Sequence, residues 1–161
     1  MKVAILMGSH SDLEIVSKTE AILTQFGIAV EMHILSAHRT PEEVKAFVSR
    51  AEENGFEVVI GAAGKAAHLP GVIASYTTLP VIGLPLKGGI MDGLDALLAV
   101  VQMPAGIPVA TVAVNGAENA GLLAVHILSI KYPEINQKLK AYREQMRTDV
   151  LDKDHTYGRV L

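Results

Sequence analysis

The sequence predicts an α/β fold of three layers: a five-stranded parallel sheet with helices on both faces and a C-terminal helical extension. Two observations carry this. Short apolar runs alternate along the chain with longer amphipathic ones, the βαβα pattern of a parallel sheet. Half of the residues are hydrophobic but only 4% are aromatic. The core must therefore be Ala, Val, Ile and Leu, as in sheets covered on both faces. The 161 residues suit a single domain, 1–161, with its core over 1–131 and a helical tail over 132–161.

VAILM (3–7) reads as a buried first strand. A helix follows over 11–26, with Leu13, Val16, Leu23 and Phe26 on one broad face and Gly27 as its stop. VEMHIL (30–35) is the second strand. The second helix starts near Pro41 and ends near Gly55, with Thr40 as N-cap, proline in the first turn and Glu42–Glu43 at its positive end. EVVIGAA (57–63) is the third strand, followed by a helix around 67–76. PVIGLPL (80–86) is the fourth strand, followed by a helix from Asp92 to Val101. PVATVAV (108–114) is the fifth. NAGLLAVHILSI (119–130) is a nearly all-apolar helix and should be buried on most sides. The expected strand order is the flavodoxin-like 2-1-3-4-5. The tail after Lys131 is charged and helical to about Leu151. It is expected to pack on a neighbouring subunit, because the five-stranded core is complete before it.

Composition narrows the function. A net charge of −3 disfavours nucleic acid and acidic membrane surfaces as partners, since both select basic patches. The absence of cysteine removes disulfides, thiolate metal sites and cysteine nucleophiles. No stretch approaches the ~20 apolar residues of a membrane span. The N-terminus shows no signal-peptide pattern, so a cytoplasmic protein is expected.

In an open parallel sheet, ligands bind outside the carboxyl ends of the strands. MGSHSD (7–12), SAHRTP (36–41), AAGKAAHLPG (62–71) and GLPLKGGIMDG (83–93) all fall there. Ser9 and Ser11 supply hydroxyls, backbone N–H groups at a helix start favour an anion, and Asp12 can accept from ribose hydroxyls. Alone, this segment is as readily an ordinary helix cap. Arg39 suits a phosphate, and His38 titrates near neutrality and can move a proton. His68 brings a second imidazole after the third strand. Taken singly, each histidine is as readily a turn or cap residue. His38 and His68 have no clear carboxylate partner and nothing resembles HExxH, so no metal site is expected. His10, His33, His126 and His155 read as structural or surface residues, and Met7, Met91 and Met103 as packing.

In order and spacing, MGSHSD, SAHRTPE, AAHLPG, PVIGLP, GLDALLAVVQMPAGIPVATVAV and NAGLLA resemble the N5-carboxyaminoimidazole ribonucleotide mutase family of bacterial purine biosynthesis. The likeness covers residues 1–150. AAHLPG and PVIGLP resemble its mutase class rather than the animal-type carboxylase class. The resemblance implies a carboxylate shift without ATP, biotin, metal or other cofactor. A carbamate on the exocyclic amine loses CO2, ring carbon C4 recaptures it, and a histidine handles the C4 proton. It also implies an octamer, a ribonucleotide substrate and, as functional partner, an upstream ATP-dependent synthetase that makes the carbamate. Matched residue by residue, Ser9, Ser11, Asp12, Ser36 and Arg39 form the ribose-phosphate pocket. His38 is the proton-transfer histidine. Ala66, Ala67, His68 and Leu69 form the loop around the carboxylate and CO2, with His68 counted beside His38 as catalytic. Lys65 departs from the family's usual glycine, and a lysine there is strained if the position requires a positive φ. KGGIMDG (87–93) also differs from the commoner loop.

Two other readings share the fold. One is a direct carboxylase that takes free CO2 onto the unmodified ribonucleotide. The other is a non-enzymatic flavodoxin-like binding module or response receiver. A receiver needs an aspartate at the end of the third strand, where this chain has Gly61-Ala62-Ala63.

Overall fold

In the computed structural model, residues 1–158 are described. The last three residues of the expected tail lie outside them. The chain divides into two compact units, Met1–Ala124 and a second that begins at Val125. The first holds β1 (Lys2–Met7), a 3-10 turn (His10–Asp12), α1 (Leu13–Gln25), β2 (Ala29–Ile34), α2 (Pro41–Val48), β3 (Val58–Gly64), α3 (Leu69–Tyr76), β4 (Val81–Leu86), α4 (Leu94–Val101), β5 (Ala110–Thr111) and the start of α5 (Ala117–Ser129). The sheet is five-stranded with order β2-β1-β3-β4-β5, as expected, and every pairing is parallel.

The central strands are buried along nearly their whole length, which explains their unbroken apolar runs. Side chains alternate between faces. Ala4, Leu6, Val59 and Val81 pack with Val44 and Val48 of α2, Leu69 and Ile73 of α3, and Ala96 and Val100 of α4. On α1, Val16 and Leu23 are buried, and the buried Thr19 hydroxyl donates to the Ala117 carbonyl at 2.8 Å. Two glycines set how closely α3 sits. Gly61 and Gly83 are register partners on β3 and β4. A Cβ on Gly61 would lie 2.9 Å from Ile73 Cδ1 and 3.1 Å from Pro70 Cα; one on Gly83 would lie 2.8 Å from Val109 Cγ1 and 3.4 Å from Pro70 Cβ. Bare backbone on two adjacent strands thus lets Pro70 press against the sheet.

Most boundaries agree with the sequence, and the differences have local causes. Gly27, at φ 80°, ends the first helix, with its N–H on the Thr24 carbonyl and that of Ile28 on Leu23. The second helix gives way after Val48 to irregular turns that close at Gly55, φ 79°. Thr40 holds the N-cap position as expected but makes no side-chain cap bond: its hydroxyl oxygen accepts from the Ser36 N–H at 2.8 Å. The third helix starts at Leu69, since Ala67 has φ 39°, and the fourth at Leu94, behind left-handed Asp92 and Gly93. β5 shrinks to Ala110–Thr111; at its amino end Pro108 offers no N–H. Bonds from Val112 N to Gly83 O and from Asn115 N to Pro85 O continue the edge irregularly. In the second unit, α6 (Pro133–Tyr157) outruns the expected end at Leu151. Ile135 and Leu139 are its buried side chains, whereas Met146, Val150 and Leu151 are exposed.

Candidate active site

The loops after β1, β2, β3 and β4 surround one open cleft of about 580 Å3 at the carboxyl edge of the sheet. Ser9, Ser11, Asp12, Ser36, His38, Arg39, Ala66, Ala67, His68 and Leu69 all line it. A larger groove, about 760 Å3, runs beside Pro80 and Ala110 at the amino ends of β4 and β5. Its titratable lining residues are Glu52 and Tyr76, and no histidine, lysine or arginine faces it.

Each wall of the cleft follows from local chemistry. After β1, the Ser9 side chain accepts from the Ser11 N–H at 3.3 Å and starts the 3-10 turn. The Ser11 hydroxyl lies 2.9 Å from Ser9 Oγ and 3.3 Å from Asp12 Oδ1, and can donate to either. Desolvation raises the Asp12 carboxyl from its ordinary value. Hydrogen bonds from Ser11 and the Ser9 backbone, and the charges of Arg39 and Lys65, pull the other way. After β2, Ser36 organises the loop. Its hydroxyl accepts from the backbone N–H of Arg39 at 3.2 Å and, weakly, from that of His38 at 3.4 Å. The Arg39 side chain reaches Ser36 Oγ through Nε and donates from Nη2 to the Gly8 carbonyl, which ties the second loop to the first.

The loop after β3 completes the wall. Lys65 and Ala67 both hold positive φ, 55° and 39°, and the Ala67 N–H closes a turn onto the Gly64 carbonyl at 3.0 Å. The strain anticipated for lysine at this position is present; a non-glycine residue there costs about 1–3 kcal/mol. The turn delivers His68, and the Gly61–Gly83 strip seats Pro70 just behind it. His38 Nε2 and His68 Nδ1 then meet at 2.7 Å, with the rings edge to face at 77°. One facing nitrogen must donate and the other accept, so the pair holds one proton between them. The outer nitrogens, His38 Nδ1 and His68 Nε2, remain available to a ligand.

Sequence reasoning missed three contributions. Lys87 and Gly88 also line the cleft. Lys87 pairs with Asp92 at 3.0 Å, and its N–H is held by Asn115 Oδ1 at 2.9 Å. The GLPLKGGIMDG segment pointed to this wall without singling out the lysine. The direct bond between the histidines had no sequence signal, and neither did the glycine strip. The remaining histidines stand apart: His33 pairs with Glu31 at 2.8 Å, and His10 does not line the cleft. Met7 is core, whereas Met91 is half exposed. Among the described residues no group of three histidine or acidic side chains is gathered to hold a metal, and no helix is long and apolar enough to cross a membrane.

Comparison with known proteins gives a consistent picture. Residues 2–149 match the family model described as AIR carboxylase. The chain is 55% identical over 152 residues to the N5-carboxyaminoimidazole ribonucleotide mutase of Thermotoga maritima, covering 94% of this chain and 89% of that protein. It is 48% identical over 159 residues to the protein of the same name from Mycobacterium tuberculosis, covering 99% and 91%. The crystal structure of Treponema denticola PurE has a TM-score of 0.90 at 31% identity, covering 98% of this chain and 99% of that one.

Proposed function

The chain belongs to the AIR carboxylase family, and from that premise we infer that it is a carboxylate-shifting mutase of purine biosynthesis. It converts N5-carboxyaminoimidazole ribonucleotide to 4-carboxy-5-aminoimidazole ribonucleotide without ATP. The observation that supports this best is the His38–His68 pair, bonded at 2.7 Å, in a cleft that also carries Arg39 and three serine hydroxyls. In this reading Arg39, Ser9, Ser11 and Ser36 hold the phosphate, and Asp12 takes the ribose hydroxyls. The carbamate C–N bond breaks with its electron pair left on nitrogen, the amine takes a proton from His38, and CO2 is released. The Ala66–Ala67 wall keeps it beside C4, where confinement replaces a bimolecular encounter. C4 attacks CO2 and gives up its proton to His38. The proton that C4 returns to His38 replaces the one the amine took from it, so the histidine pair ends with the protons it began with and bulk water need supply none. His68 also shapes the carboxylate end, with Ala67 and Leu69. The test is conversion of the carbamate to the C4-carboxylate by purified protein with ATP omitted. Turnover that requires bicarbonate and the bare ribonucleotide instead would make the chain a direct carboxylase.

The same reading extends to assembly. Residues 1–131 form the catalytic core, and the rest of the single domain serves contacts with other subunits of a cytoplasmic homo-octamer. Exposed Met91, Leu94, Leu98 and Val101 around α4, and Met146, Val150 and Leu151 on α6, are apolar surface of the kind that such contacts cover. Its functional partner is the ATP-dependent synthetase that supplies the carbamate. Light scattering decides the assembly: a stable monomer at micromolar concentration overturns it.

A further inference from the structure

Lys65 combines a strained backbone with an unneutralised charge. Its φ of 55° is one that glycine adopts without steric cost. Residues held in such conformations concentrate where function requires them. The other cations of the cleft are held in place, Lys87 by a carboxylate and Arg39 by neutral acceptors that leave its charge for a phosphate. Arg39 is bound to Gly8 and Ser36, and Lys87 is paired with Asp92 at 3.0 Å. No carboxylate among the described residues forms an ion pair with Lys65. Two acids stand nearby. Asp12 lines the cleft with Lys65, and Asp95 lines an adjoining hollow together with Lys65, Ala66 and His68. The charge of Lys65 reaches Asp12 only as a small contribution behind desolvation and hydrogen bonding.

The position of the charge is informative. Lys65 and His68 line both the cleft and the adjoining hollow, whereas Arg39, Ser9 and Ser11 line the cleft alone. A carboxylated ribonucleotide brings two anions, a phosphate and a carboxylate, and the site offers a separate cation for each. We propose that the Lys65 ammonium is the counter-ion of the migrating carboxylate and makes the site prefer carboxylated over bare ribonucleotide. This rests on the mutase reading above. The carboxylate is present in substrate and product but not while the carbon is free CO2. Lys65 therefore stabilises both end states and gives nothing to the neutral intermediate. It contributes selectivity in binding rather than bond cleavage, and it favours recapture of CO2 over escape.

The experiment is calorimetric titration of the full chain with 4-carboxy-5-aminoimidazole ribonucleotide and with aminoimidazole ribonucleotide. Lys65→Met should weaken the carboxylated ligand by about fivefold to tenfold and leave the bare one unchanged. That is less than a fully desolvated charge-assisted bond would give, because the lysine is solvent-exposed. Lys65→Arg should keep the preference, and in wild type it should shrink as salt rises. Lys65→Gly separates charge from strain: it should lose the preference while its Tm rises by about 2–4 °C. Two results overturn the proposal: Lys65→Met keeping the wild-type preference, or weakening both ribonucleotides equally. Wild-type turnover of the carbamate is measured alongside. A wild type that does not convert it defeats the mutase reading and this proposal together, whereas a converting wild type with an indifferent Lys65→Met defeats only the role of Lys65.

Discussion

If the two histidines work as one proton-handling unit, their substitutions will not add. His38→Asn removes the imidazole assigned to the C4 proton. General acid–base catalysis is worth about 10²–10⁴-fold, so kcat should fall by that range, while ribonucleotide affinity stays near wild type. His68→Asn leaves His38 in place but removes its partner at 2.7 Å. The net value of such a hydrogen bond is about 0.5–1.5 kcal/mol, which corresponds to roughly a 2–13-fold loss. Asparagine can still donate or accept, so the loss should sit at the lower end. The double variant should then lose clearly less than the product of the two single effects, since His68 has no proton carrier left to orient and keeps only its part in shaping the carboxylate end. The assay is single-variant and double-variant kcat for carbamate conversion at saturating substrate without ATP. A double variant that loses the product of the two single effects would show independent histidines and refute the unit. Retained turnover in His38→Asn with abolished turnover in His68→Asn would reverse the roles and put the proton carrier on the β3 loop.

Arg39→Ala should raise KM by roughly 10–150-fold with a smaller fall in kcat, because charge-assisted phosphate bonds are present in ground and transition states alike; an unchanged KM removes Arg39 from the phosphate site. Asp12→Asn tests the raised carboxyl. Between its ordinary and folded titration ranges the folded chain holds more proton than the unfolded one, so this group lowers stability as pH rises through that window. Relative to wild type, the variant's Tm should gain most at neutral pH and lose that gain below the ordinary carboxylate range, while KM rises; a gain independent of pH contradicts this. Gly83→Ala places a methyl 2.8 Å from Val109 Cγ1 and closer still to Val100 Cγ1. Overpacking should cost about 1–3 kcal/mol, read as a lower Tm, and because Pro70 touches the same point, kcat should fall with it. An unchanged Tm in a thermal melt would show that the strip is not tight.

The sequence by itself determined the strands, most of the helix starts and the strand order. The elements follow from short-range information, apolar runs such as VAILM and EVVIGAA, Pro41 at a helix start and Gly27 at a helix end, and the strand order from the flavodoxin-like arrangement that a βαβα chain of this length takes. The candidate site was legible for a related reason, since loops at the carboxyl edge of a parallel sheet converge wherever the strand order reverses. Other features were decided only by the tertiary structure. His38 and His68 follow strands that β1 separates in the sheet, and no spacing along the chain says that their rings meet. Thr40 sits at the N-cap as its sequence context suggests, but its hydroxyl is bonded to the Ser36 backbone rather than to the helix. Gly61 and Gly83 look like ordinary strand glycines until register sets them side by side under Pro70. The left-handed turn at Lys65 could be anticipated only as a condition, because φ there is set by how β3 hands the chain to a helix already pressed against the sheet. Local preferences act over a few residues and are written in the sequence. Register and side-chain meeting depend on packing between distant segments, which exists only once the chain has folded.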